Sequence, residues 1–310
     1  MPVLKTIDMA TQQLITNSLW FDDQAEEAAR FYTSLIPGSS IGNITRYGKE
    51  GYEQHQRPEG SVMTITFNLG GVGFTAINGG PVFKFNPSIS FFIMCETEQE
   101  TDKLWNELLR GGMALMPLDK YAWSDKYGWV MDRYGLSWQV AWGKLDDVGQ
   151  KIAPSLMFTG AQHGRAEEAL RLYTSIFDNS SVTGILKYGP NEEDKEGTVK
   201  HAQITLAGQT FMVMDSGYDH GFGFNEAISF IVHCNTQQEI DHYWNRLTQD
   251  GEEGPCGWLK DKFGVSWQVV PAALQKMLQD ADRTKTERVT KAFMQMKKMD
   301  IATLEQAFNG

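Results

Sequence analysis

The sequence predicts an α+β chain of two similar halves followed by a helical tail. Three observations carry this reading. Short runs of alternating character, such as "MTITFNL" and "KHAQITL", are interleaved with stretches whose apolar residues recur every three or four positions. Whole phrases return at a long interval: "AEEAARFYTSLIPGSS" (Ala25–Ser40) comes back as "AEEALRLYTSIFDNSS" (Ala166–Ser181), and "FNPSISFFIMCET" (Phe85–Thr97) as "FNEAISFIVHCNT" (Phe224–Thr236). Each half then closes on nearly the same strand, "DRYGLSWQV" (Asp132–Val140) and "DKFGVSWQV" (Asp261–Val269).

Taken in order, each half reads β-α-β-β-β and then β-α-β-β(-β), which makes four modules in the chain. "NSLWF" is a short strand. A helix follows, with Asp23 and Glu26 placed as a capping box and Ala25, Ala28, Ala29, Tyr32 and Leu35 on one face. "IGNITRYG" and "MTITFNLGGVGFTAI" supply three strands, the last two joined by a glycine turn. "SISFFIMC" is a strand, "EQETDKLWNELLRGG" a helix that ends on glycine, and "YGWVMDRYGLSWQV" a hairpin. The expected boundaries are an N-terminal extension at 1–13, a first domain at 14–143, a linker at 144–150, a second domain at 151–270 and a helical tail at 271–310. In the tail, Thr284 and Glu287 match a capping box, and Val289, Phe293 and Met296 form one apolar stripe, to be packed on the same chain or on a second subunit. Only the first half carries the extra aromatic segment Met113–Asp125 before its last hairpin.

A chain of 310 residues suits two compact units, and 41% apolar with 22% charged residues is the balance of a soluble globular protein. Lys and Arg number 28 against 39 Asp and Glu, a net −11, which argues against nucleic acid or an anionic membrane as partner. No apolar run is long enough to span a bilayer, and no export signal is visible at the N-terminus. The three cysteines, Cys95, Cys234 and Cys256, form no CxxC pair, so a reducing cytoplasm is expected. Cys95 and Cys234 hold matching places and read as small buried hydrophobes at strand ends.

With its βαβββ pairing, its "AEEAxRFYTSL" helix and its "DxxGxSWQV" strand, the chain resembles the vicinal oxygen chelate superfamily of glyoxalases, dioxygenases and bleomycin-resistance proteins. Within it, the resemblance is to the PhnB-like branch, often labelled demethylubiquinone methyltransferase-like, and the tail "MKKMDIATLEQAF" is similar to that branch as well. The resemblance implies tandem glyoxalase-like domains, each of two βαβββ modules forming a cupped mixed sheet. In metal-using members a divalent ion sits in the cup, held from the first strand, from the strand opening the second module and from a glutamate on the last strand. Carried over, the glutamate position is Gln139 in the first half and Gln268 in the second, and the first-strand position is Asn17 and Pro154. The opening strand Asn86–Met94 contains no His, Asp or Glu. A neutral amide oxygen holds a hard cation far less tightly than a carboxylate does, so the usual ligands read as replaced, and no metal is assigned. His201, Glu226 and Gln268 form an imperfect alternative set for a divalent metal, while His163 and His220 read as loop residues.

A methyltransferase using S-adenosylmethionine would need a glycine-rich turn between a strand and a helix. The dense glycines at Leu69–Phe74 lead instead into another strand, so no S-adenosylmethionine or nucleotide site is expected. No GxSxG elbow is present. The expected ligand pocket is lined by Trp123, Tyr127, Trp129 and Gln139 from the first half and by Glu226, Cys256, Trp258 and Gln268 from the second. Asn17 is expected to point inward with Leu19 and Phe21, and Trp138 and Trp267 toward the helices. Aromatics with neutral amides suit a flat or apolar molecule. The leading expectation is therefore a small-molecule binding protein, as a monomer or a homodimer. The alternative is a metal-dependent lyase or dioxygenase-type enzyme using an atypical site. A third reading, motivated by the unequal hairpins, makes one half a scaffold and the other active.

Overall fold

The computed structural model describes residues 13–49 and 52–310, so the expected N-terminal extension lies, but for its last residue, outside the described residues. The first half runs β1 (Ile15–Phe21), α1 (Ala25–Leu35), β2 (Ser40–Arg46), α2 (Tyr52–His55), β3 (Val62–Leu69), β4 (Val72–Asn78), β5 (Ile89–Cys95), α3 (Glu98–Leu109), β6 (Met113–Tyr121), β7 (Ser124–Met131) and β8 (Ser137–Trp142). After α4 (Leu145–Val148), the second half runs β9 (Ile152–Phe158), α5 (Ala166–Ile176), β10 (Ser181–Lys187), β11 (Val199–Leu206), β12 (Gln209–Asp215), β13 (Ile228–Cys234), α6 (Gln237–Leu247), β14 (Glu252–Glu253), β15 (Trp258–Lys260) and β16 (Ser266–Pro271). The tail is α7 (Leu274–Leu278), α8 (Arg283–Phe293) and α9 (Ile301–Asn309).

The strands form two eight-stranded mixed sheets, ordered β14-β15-β16-β13-β1-β4-β3-β2 and β10-β11-β12-β9-β5-β8-β7-β6. The architecture is the tandem α+β one expected, but the modules are exchanged. Each sheet takes the first module of one half and the second module of the other. At the centre of each sheet an antiparallel pair crosses between the halves: β1 on β13, with Ser18 opposite Ser229, and β5 on β9, with Ser90 opposite Ser155. The two modules of one half meet instead through their helical sides, where Phe74 of β4 packs edge-on against Phe91 of β5 at 5.1 Å.

That contact explains why the phrase closing each half is written twice. Asp132 Oδ2 accepts from the Tyr32 hydroxyl at 2.7 Å and from the Trp138 indole at 2.9 Å, while its Oδ1 accepts the backbone N–H of Tyr134 and Leu136. Asp261 repeats the arrangement with Tyr173 at 2.6 Å, Trp267 at 2.9 Å and the N–H groups of Phe263 and Val265. The glycine of the phrase turns the chain at positive φ, +85° at Gly135 and +87° at Gly264. A buried carboxylate is tolerated here because four donors replace its water. Each Asp thus ties the helix of one module to the last turn of the next, and Trp138 and Trp267 lie fully buried on the helical side.

Two expected caps differ. Asp23 and Glu26 do not cap α1; the N–H of Ala25 is taken by Asn78 Oδ1 from the end of β4 at 2.8 Å. In the second half Asp215, at the end of β12, accepts Gly164 and Ala166 in the same way. A cap supplied across the module leaves no local sequence signature. The N-cap of α8 is Asp282, which accepts from Thr284 N–H, so Thr284 lies inside the first turn rather than capping it. The tail packs on its own chain: Val289, Met299 and Leu304 are buried, and the N–H groups of Cys256 and Gly257 donate to Met296 and Lys297 carbonyls at 2.7 and 2.8 Å. Cys95 and Cys234 are buried, and burial pushes both thiols up to about 12.

Candidate functional site

Strand parity decides what faces each cup. On β1, Ile15, Leu19 and Phe21 join the core under the helices, and Asn17 shares that face, 2% exposed, donating to the Gly73 carbonyl at 3.1 Å. The expectation that Asn17 points into the cup is therefore corrected, and Pro154, its counterpart in the repeat, shares the core face in the same way. The bulky series of a half-buried strand goes to the larger core, which here lies on the helical side. The cup faces of the first strands are Thr16, Ser18 and Trp20 in one sheet and Ala153, Ser155 and Met157 in the other.

The cup of the β5-containing sheet is closed. Phe92, Met94, Tyr127, Ala141, Ala153 and Met212 form an apolar cluster in it, roofed by Leu145 and Val148 of α4. Gln139 is 4% exposed and saturated: Nε2 donates to Ser90 Oγ at 2.8 Å and Ser155 Oγ at 3.2 Å, and Oε1 accepts the Tyr127 hydroxyl at 2.7 Å. The Trp129 indole donates to Ser137 Oγ at 2.6 Å. Trp123 lies outside, 63% exposed at the tip of the extra hairpin and stacked on Tyr121 at 5.0 Å. Three of the expected pocket residues (Tyr127, Trp129 and Gln139) thus meet, but as the filling of a cup.

The cup of the β1-containing sheet is open. It holds a cavity of about 360 Å³ lined by Thr16, Thr64, Thr75, Ile231, His233 and Gln268, among others, with Leu274 and Leu278 of α7 over it. Gln268 Nε2 donates to Ser229 Oγ at 2.9 Å, while its Oε1 has no partner among the described residues. The Trp258 side chain lies edge-on to Trp20 at 6.1 Å rather than on Ser266, whose Oγ is buried without a hydrogen-bond partner among the described residues. His233 Nε2 and Thr16 Oγ1 are 2.8 Å apart, and burial pushes the imidazole down to about 4, so it is neutral near pH 7. Among the described residues no Lys, Arg, Asp or Glu side chain lines the cavity.

The remaining expected residues do not converge. Glu226 is ion-paired with Lys260 at 2.7 Å. Cys256 sits at φ +57°, its N–H drawn to the tail, and is not on the cavity wall. His201 is on β11, in the other sheet from Gln268, because the modules are exchanged, so the set His201, Glu226 and Gln268 is no site. Among the described residues no three His, Cys, Asp or Glu side chains group as for a metal ion. The polar groups on the wall of the open cup are hydroxyls, the neutral amides of Asn43, Gln268 and Gln275, and one imidazole already engaged by Thr16. They do not fit the divalent ion that metal-using relatives hold, which asks for carboxylate charge. Sequence reasoning missed Thr16, Thr75 and His233. The signal was present: "ISFIVHC" has histidine where its repeat "ISFFIMC" has methionine.

A protein from Bacillus cereus described as a putative 3-demethylubiquinone-9 3-methyltransferase, PhnB protein, is 42% identical over 41% of this chain and 98% of its own, with a TM-score of 0.38. Glyoxalase I from Zea mays, 11% identical, covers 87% of this chain and 98% of its own with a TM-score of 0.55, a likeness of fold. No curated protein matches. The model of the family described as 3-demethylubiquinone-9 3-methyltransferase matches residues 13–141 and 150–270, and the chain belongs to that PhnB-like family of the vicinal oxygen chelate fold.

Proposed function

We propose that the chain is a small-molecule binding protein with one working pocket, the open cup beside Gln268, and that the closed cup beside Gln139 is scaffold. The observation that supports this is the contrast between equivalent glutamines. Gln139 has every polar atom satisfied inside an apolar plug, whereas Gln268 turns an unpartnered oxygen toward a cavity of about 360 Å³. Gln268 is half-buried and its oxygen is left to solvent, so a ligand that fills the cup and displaces that solvent is best held when it supplies a donor of its own. The family's methyltransferase description finds no support in the glycines, since Gly70 and Gly71 are the two-residue turn of the β3–β4 hairpin and face no helix N-terminus. The test is a thermal-shift screen of a diverse compound set on the full chain, with hits mapped by amide chemical shifts. Hits that perturb Gln268, His233 and Thr16 are expected. Hits confined to the residues around Gln139 would overturn the assignment.

A further inference from the structure

The closed cup is a template for what the open cup lacks. Tyr127, Gly128 and Trp129 align with Cys256, Gly257 and Trp258 in the repeat. In the first repeat the tyrosine ring enters the cup and its hydroxyl donates to Gln139 Oε1. In the second, a cysteine holds that place with its backbone turned to the tail, and the cup keeps a cavity of about 360 Å³. The five cup residues clustered with Tyr127 are Phe92, Met94, Ala141, Ala153 and Met212. Their repeat counterparts, Ile231, His233, Val270, Thr16 and Thr75, all lie on the cavity wall. The cavity is thus bounded by the residues that would surround a tyrosine ring.

Polar atoms tell the same story. Gln139 Oε1 and Ser137 Oγ are each satisfied by an aromatic side chain of the hairpin. Their counterparts, Gln268 Oε1 and the fully buried Ser266 Oγ, have no partner among the described residues. The smaller side chains at Thr75 and Ile231, against Met212 and Phe92 in the closed cup, leave more room than one phenol ring requires, and among the described residues no charged group lines the wall. A charged ligand would therefore be desolvated without a counter-ion.

We infer that the open cup binds an uncharged phenol, its ring between Ile231, Val270 and α7 and its hydroxyl donating to Gln268 Oε1 as Tyr127 does to Gln139. This rests on the single-pocket reading and adds the ligand's chemical class to it. His233 and the threonines then offer hydrogen bonds to a second substituent on the ring.

The test uses three probes of one shape: 2-naphthol, 2-methoxynaphthalene, which lacks the donor, and 2-naphthoate, which is anionic. Each is titrated into the full chain, following side-chain amide shifts and tryptophan fluorescence. The expected result is saturable binding of 2-naphthol at Gln268, about ten-fold tighter than either analogue, because they differ by one donor to an acceptor that the bound ring removes from water. Gln268→Leu should erase that preference, whereas Gln268→Glu should not let 2-naphthoate bind. Equal binding of 2-methoxynaphthalene, tighter binding of 2-naphthoate, or no saturable binding of 2-naphthol would overturn the phenol assignment. If the compound screen still finds other chemistry in this cup, the pocket reading stands and only the class falls. If the screen maps elsewhere, both fall.

Discussion

Tyr127 donates to Gln139 across 2.7 Å, and the residue that replaces it in the second repeat, Cys256, makes no such contact with Gln268. One aromatic side chain therefore separates a filled cup from an open one. The two glutamines should differ accordingly on replacement. Gln139→Leu leaves Tyr127, Ser90 and Ser155 without partners in a buried site and should cost about 3 kcal/mol, whereas Gln268→Leu frees only Ser229 and should cost about 1 kcal/mol or less. Urea unfolding of the two variants measures this directly. Equal losses would mean that the cups are energetically alike.

The acid side of the stability curve should be set in part by His233. Its imidazole is held below the ordinary 6.5, to about 4, by burial beside Thr16. The unfolded chain then takes up a proton that the folded chain refuses, so stability is complete above pH 6.5 and falls as pH drops toward about 4. The buried carboxyls run the other way. Burial raises Asp132 and Asp261 above the ordinary carboxylate value, against the pull of their four donors, so falling pH through that range relieves strain instead of adding it. His233→Met, which copies Met94, should flatten the thermal stability curve over the window from pH 6.5 to about 4. An unchanged slope would assign the acid limb to other groups.

The repeated phrase makes its own prediction. Asp261→Asn keeps the shape of the side chain but replaces one acceptor oxygen with a donor, so two of the four donors, Tyr173, Trp267 and the N–H groups of Phe263 and Val265, lose their partner. The loss should be roughly 2–4 kcal/mol, measured by chemical denaturation. Tyr173→Phe removes a single hydrogen bond and should cost about 1 kcal/mol. A near-neutral Asp261→Asn would show that the clasp contributes little.

Much of this fold was legible because a long repeat constrains every element twice. Four modules, the placement of Trp138 and Trp267 on the helical side, and the hairpin at Gly70–Gly71 all followed from period and turn chemistry. The exchange of modules did not. The strands "ISFFIMC" and "ISFIVHC" are so alike that either is a suitable neighbour for β1, and only the back-to-back packing of Tyr32 on Asp132 sends β13 to that edge. The cup-facing side of β1 was misread for a related reason: Trp20 and Phe21 are both large and apolar, so "ITNSLWF" reads plausibly in either parity. The pocket itself was legible only as a difference between repeats. Met94 against His233, Ala153 against Thr16 and Tyr127 against Cys256 mark the open cup once the two halves are compared position by position.

If the closed cup is a template for the open one, removing the plug should turn the first into the second. Tyr127→Ala takes a buried phenol out of the cluster of Phe92, Met94, Ala141 and Met212 and leaves Gln139 Oε1 without a donor. Loss of a buried aromatic should cost about 3–5 kcal/mol, a serious but tolerable loss in a domain of this size. Alanine keeps the Cβ, so the vacancy has the shape of phenol, and cavities of this kind take up matching small molecules. At ten times its Kd, phenol should restore about 1.4 kcal/mol to the variant, and anisole, without the hydroxyl, distinctly less. The parent chain supplies the control: there the same compound can bind only at Gln268, so any stabilisation should vanish in Gln268→Leu but persist in a chain carrying both Tyr127→Ala and Gln268→Leu. Thermal unfolding with and without ligand reads all four cases. Rescue by anisole as strong as by phenol would show that the ring alone is recognised and that the glutamine oxygen has no part in either cup.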